Sequence, residues 1–127
     1  MARVIVGREI RFSASHQLPF VPAGHKCARC HGHSYRIQVE ITGPIVEPTG
    51  WIFDFGMLDA VMRQLVYDAL DHRHLNDIKG LENPTAEVLA DWIATRVALG
   101  IPTTGISVHA VTVHEGDGGG WARLELP

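Results

Sequence analysis

Hydrophobic periodicity switches twice along this chain. Residues 3 to 15 alternate, with Val4, Val6, Ile10 and Phe12 at even positions, and a second alternating run spans about His33 to Ile41. From Phe53-Asp54-Phe55-Gly56 onward the period becomes helical. Leu58, Val61, Met62, Leu65 and Ala69 fall on one face behind Asp54 as N-cap. Asn83-Pro84 reads as the N-cap and first position of a second helix, which runs to about Leu99 before Gly100 and Pro102. Its core face is Val88, Leu89, Trp92, Ile93 and Val97. ISVHAVTVHE (106–115) and WARLEL (121–126) return to period two across a GDGGG turn. Two strands, two helices and two strands predict one α+β domain over residues 1–127. Its expected form is a four-stranded antiparallel sheet with both helices on one face, order ββααββ.

Two local expectations accompany this pattern. Gly7 predicts a bulge or bend in the first strand. In the strand at 106–115, Ile106, Val108 and Ala110 alternate with Val111 and Val113, so both faces read as partly apolar. One face should meet the helices, and the other predicts packing against another subunit.

Composition excludes several function classes. A net charge of −3 gives no basic field for nucleic acid. No apolar run is long enough to span a bilayer, and the charged, alternating N-terminal run reads as a strand rather than a signal peptide. The 2 cysteines are too few for a disulfide scaffold, so a cytoplasmic location is expected.

The chemistry concentrates in HKCARCHGHSYRIQVEI, residues 25 to 41. His31 and His33 are two apart at the start of a strand, so their side chains point the same way. His16, at the end of FSASH, can be set opposite them by an antiparallel neighbour. Three neutral imidazoles with an open position are the arrangement of a catalytic zinc rather than a closed structural one. Cys27 and Cys30 offer rivals: a Cys2His2 knot, although all four ligands would crowd into seven residues, or a redox pair, although the pair precedes a strand rather than a helix. Cys30 alone reads as a small gap filler. Cys27 reads as a loop thiol near the metal, reactive if positive charge stabilises its thiolate. In LDHRHLND, Asp71 beside His72 is a candidate orienter and acid–base group, or else a solvated helix end. Glu115, at a strand end, can accept two parallel hydrogen bonds from the N–H edge of a guanine-like ring.

Taken together, FSASHQLP, C-x-x-x-HGH, TGWIFDF, LDHRHLND, NPTAE and the glutamate of VTVHE resemble the pyruvoyl- and carboxy-tetrahydropterin synthase family over nearly the whole chain. The resemblance implies the tunnelling fold, in which sheets join into a barrel, commonly as two stacked trimers forming a homohexamer with sites between subunits. It implies Zn2+ on His16, His31 and His33, catalysis by Cys27 with Asp71 and His72, and pterin binding by Glu115 with Thr85 and Glu87. Two features resemble the bacterial carboxy branch: the short spacing from thiol to HGH, and TGWIFDF followed by LDHRHLND and GLENPTAE. That branch turns 7,8-dihydroneopterin triphosphate into 6-carboxy-tetrahydropterin, acetaldehyde and triphosphate on the way to 7-deazaguanines and queuosine. Pyruvoyl-type triphosphate elimination and a non-catalytic zinc or pterin module are the alternatives. Cys30 departs from the family, where an apolar residue is expected, and adds a second thiol beside the site.

Overall fold

The computed structural model describes residues 3–127, and its elements follow the expected order. Strands β1 (Val4–His16) and β2 (His31–Gly43) form an antiparallel pair, followed by α1 (Phe55–Met62), a π-helical turn (Arg63–Tyr67) and the short α2 (Asp68–Leu70). A long helix, α3 (Ala86–Gly100), then leads to β3 (Ser107–Glu115) and β4 (Trp121–Glu125). The strands lie in the order β1-β2-β3-β4, each pair antiparallel. Ile10, Phe12, Ile37, Val39 and Val111 of the sheet share one core with Leu58, Met62, Leu89 and Ile93 of the helices. Among the described residues, no helix is long and apolar enough to cross a membrane.

The helical phase differs from the expectation, for a local reason. Leu58 and Met62 are buried as expected, but the next buried residues are Val66 and Leu70 rather than Leu65 and Ala69. A π-helical turn takes in one residue more than an α turn, so the apolar face advances by one position after it. Asp71 is thereby carried to the end of the helical run beside β1.

Three further expectations are corrected. Helix α3 starts at Ala86, not Pro84, because Thr85 is the extended residue whose hydroxyl accepts from Val88 N–H at 3.1 Å. Asn83 is therefore not the cap. Gly7 makes no bulge: it pairs in register with Glu40, and a Cβ there would stand 3.1 Å from the Val39 carbonyl. The bulge lies between β2 and β3, where Glu40 pairs with Ala110 but Ile41 pairs with Val108, leaving His109 as the extra residue.

That bulge also explains the strand that seemed apolar on both sides. It brings Val108 into the same core as Val111 and Val113, so the alternation expected of Val108 with Ala110 is broken. On the far face, Ala110 and Thr112 are buried beside an ion pair between Arg123 and Glu40. The second face of the sheet is thus mixed, polar around two small residues but with Trp121 exposed in the same alternation as Arg123.

Candidate functional site

His16 is the last residue of β1 and His31 the first of β2, and the two are direct partners in the antiparallel register. The pairing starts two residues earlier than the periodicity indicates. Ala14 faces His33 on the same ladder. A one-residue slip of either strand would send its histidines to the opposite face, so the core residues upstream fix the cluster.

The three imidazoles converge. One nitrogen from each of His16, His31 and His33 lies within 4.8 Å of the others, and among the described residues this is the group of three that could hold a metal. Neither cysteine belongs to it. His16, 1% exposed, donates its Nδ1–H to the Pro84 carbonyl at 2.8 Å, and His31 donates its Nδ1–H to the Arg29 carbonyl at 2.7 Å. In the neutral rings both Nε2 atoms are then lone-pair acceptors, yet they stand 3.0 Å apart. Two acceptors at that distance need a proton or a metal cation between them, and the donor set fits zinc. Burial is the main cause that lowers the pKa of His16 and of His33; Glu115 opposes it. Both shifts favour the neutral imidazole that metal binding requires.

A cavity of about 570 Å³ opens on this cluster and is lined also by Cys27, Cys30, Lys26, Arg29 and Glu115. Cys27 sits in a 3₁₀ turn (Lys26–Ala28) whose first N–H groups are held by His25: its ring nitrogen accepts from Cys27 N–H at 3.0 Å. Cys30 has its sulfur 3.9 Å from His74 Nδ1. Glu115 pairs with Tyr35 across β2 and β3, and one carboxylate oxygen lies 3.9 Å from His16 Nε2. Burial, reinforced by that carboxylate, pushes the Tyr35 phenol well above its ordinary range. The turn behind Glu115 depends on Gly119, where a Cβ would meet the Glu115 carbonyl oxygen at 2.0 Å.

Asp71 and His72 do bond to each other, Oδ2 to Nδ1 at 2.9 Å. Asp71 Oδ1 accepts from Ser13 N–H at 3.1 Å, and His72 is a non-glycine residue at φ 58. That left-handed conformation is uncommon for a side chain of this size, though histidine is among the residues enriched there. The His72 hydrogen bond, then the Ser13 N–H, hold the Asp71 carboxyl below its usual range. The pair does not share the histidine cavity. It lines a separate one of about 400 Å³ with Arg11, Arg36, Ser13 and Tyr67. Thr85 and Glu87 are not among the residues lining the histidine cavity; Thr85 caps α3, and Glu87 lies in its first turn.

The sequence profile of 6-pyruvoyl tetrahydropterin synthase matches residues 5–125. The chain belongs to this family. It is 40% identical over 116 residues to 6-carboxy-5,6,7,8-tetrahydropterin synthase of Synechocystis, a match covering 87% of this chain and 85% of that one. A putative enzyme of the same name from Archaeoglobus fulgidus is 34% identical over 122 residues, 95% of each chain. The structure of Caenorhabditis elegans 6-pyruvoyl tetrahydropterin synthase superposes with a TM-score of 0.85 at 23% identity, covering 100% of this chain and 98% of that one. The tunnelling fold of the pterin synthases is therefore the fold of this chain.

Sequence reasoning did not find the carbonyls of Pro84 and Arg29 that orient His16 and His31, since any residue carries a carbonyl. Tyr67 was likewise missed: its main-chain carbonyl accepts from Asp71 N–H at 2.8 Å, and it lines the Asp71 cavity from the π-helical turn, whose shift in phase has no plain mark in the apolar pattern.

Proposed function

We propose that the chain is a zinc-dependent 6-carboxy-5,6,7,8-tetrahydropterin synthase acting on 7,8-dihydroneopterin triphosphate, in the route to 7-deazaguanines and queuosine. The observation that carries this reading is the convergence of His16, His31 and His33 in one cavity with Cys27 and Glu115. The names of the relatives from Synechocystis and Archaeoglobus support the carboxy product.

In this reading His16, His31 and His33 hold Zn2+, which supplies a Lewis acid for a substrate side-chain hydroxyl. Glu115 accepts hydrogen bonds from the N–H edge of the pterin, and Lys26 and Arg29, which line the same cavity, are the cations available to the phosphates. Thr85 and Glu87, outside the histidine cavity of the single chain, complete the ring pocket in the assembled protein. Cys27 moves a proton at the substrate side chain, and His72, held by Asp71, serves as its acid–base counterpart. Because Asp71 and His72 line a different cavity, a complete site draws them from a second copy of the chain. A homo-oligomer with sites between subunits follows, and a hexamer of two stacked trimers is the form we propose.

The test is the product. Zinc-loaded protein incubated with dihydroneopterin triphosphate should release acetaldehyde and give 6-carboxy-tetrahydropterin by mass. A pyruvoyl product would move the chain to the elimination-only branch, and unchanged substrate would leave a binding module.

Replacing Glu115 with Gln turns one acceptor into a donor facing the ring. The lost charge-assisted bond is worth about 1.5–3 kcal/mol, so affinity or turnover should fall about tenfold or more with zinc content unchanged. Unaltered kinetics would assign the ring to another residue.

A further inference from the structure

The segment that carries Asp71 and His72 also reaches the metal ligands by a second route. It runs beside the outer edge of β1: His72 N–H donates to the Ser13 carbonyl at 2.6 Å, and Ser15 N–H donates to the Arg73 carbonyl at 3.0 Å. A parallel bridge joins Ser15 to His74. The next β1-side rung in that ladder belongs to Gln17, but by then the backbone has turned into a 3₁₀ turn (Leu75–Asp77).

The side chain of Asn76 takes over the missing rung. Its Oδ1 accepts from Gln17 N–H at 3.0 Å, and its Nδ2 donates to the Gln17 carbonyl at 2.7 Å. The same Nδ2 donates to the Glu82 carbonyl at 3.4 Å. A primary amide presents a donor and an acceptor as a peptide group does, so it extends a ladder the main chain has left. The partners also settle which way the amide points. Reversed, its oxygen would face two carbonyls and its NH2 would face an N–H.

Gln17 directly follows His16. His16 is already held in two ways, by strand pairing with His31 and by its ring bond to Pro84. The clamp on Gln17 fixes the chain immediately beyond it, between His16 and Leu18, whose N–H donates to the Cys27 carbonyl at 2.8 Å. We propose that Asn76 is a positioning residue for the three-histidine centre, its amide locking both main-chain groups of Gln17 so that His16 stays where His31 and His33 converge. This rests on the reading of that centre as a zinc site.

Three variants and the parent test it, with zinc affinity measured by competition with a chromophoric chelator and ligand geometry by the visible spectrum of the Co2+ form. Asn76→Ala removes the clamp. Asn76→Asp is nearly isosteric and keeps the acceptor for Gln17 N–H, but sets an oxygen against two carbonyls. Val97→Ala, a cavity in the buried face of α3, lowers stability without touching the clamp. Both Asn76 variants should lose about 10–100-fold in zinc affinity and shift the Co2+ spectrum, as outer-shell groups of metal sites do. Val97→Ala should keep the parent's affinity and spectrum despite a lower Tm.

Parent-like zinc affinity and spectrum in both Asn76 variants would overturn the proposal. So would an equal loss in Val97→Ala. In the parent protein, amide exchange at Gln17 should be slowed to the same order as at Ser15, and fast exchange there would also overturn it, whether or not the variants fold. A parent chain that binds no zinc would remove the zinc reading and this inference together. A zinc-binding parent with indifferent Asn76 variants would remove this inference alone.

Discussion

Cys27→Ala is expected to lower turnover at least about a hundredfold with zinc content unchanged, while Cys30→Ala stays within a few-fold of the parent. General acid–base groups contribute on the order of 100- to 10,000-fold, and Cys27 is the thiol of the histidine cavity that the 3₁₀ turn holds in place. Cys30 borders that cavity too, but its sulfur lies against His74 and no contact assigns it a task. The comparison separates three chemistries. A structural knot would lose zinc and unfold in either variant, because such sites supply folding energy directly. A redox pair would lose activity equally in both and form a bridge between the two sulfurs on oxidation. Equal damage from both substitutions with metal intact would mean that the site does not rely on one thiol.

His31→Ala should strip most of the metal. His31 brings Nε2 to within 3.0 Å of His16 Nε2 and is itself aimed by the Arg29 carbonyl. Removing an outer-shell partner costs about 10–100-fold in metal affinity, so losing the ligand should cost more than about a hundredfold. The fold should persist, since the histidines lie at one end of a sheet whose core is formed by Ile37, Val39 and Ile41 farther along β2. Metal analysis after dialysis reads the outcome directly. Full zinc occupancy in the folded variant would place the centre elsewhere.

The order of elements was legible because periods of two and 3.6 are visible in the apolar residues themselves. Helix phase was less so: the expectation for Leu65 and Ala69 assumed a uniform helix, and the π-helical turn moved burial to Val66 and Leu70. The start of α3 was misplaced because Asn83-Pro84 is a good helix opening taken alone, whereas Thr85 caps the helix and the Pro84 carbonyl is engaged by His16. The convergence of the histidines could be read from His-x-His and one facing strand. The bond between Asp71 and His72 could be suspected from adjacency, but their separate cavity could not, because it depends on which side of β1 the following segment takes.

His109 has a meaning for how such a pocket could be respecified. Beyond the bulge, Val111, Val113 and Glu115 are paired with Val39, Ile37 and Tyr35, in phase with the histidines of β2. A regular strand continuing from Val108 would instead bring Ala110, Thr112 and His114 to that side. The pocket would then end in an imidazole, and the carboxylate would face the opposite surface. The identity of the residue opposite Tyr35 is thus governed by whether the strand bulges at His109 as much as by residue type. Deleting His109 would remove only the extra residue and leave Glu115 opposite Tyr35, whereas closing the bulge at unchanged length would set His114 there and shift the strand's apolar set in the same step.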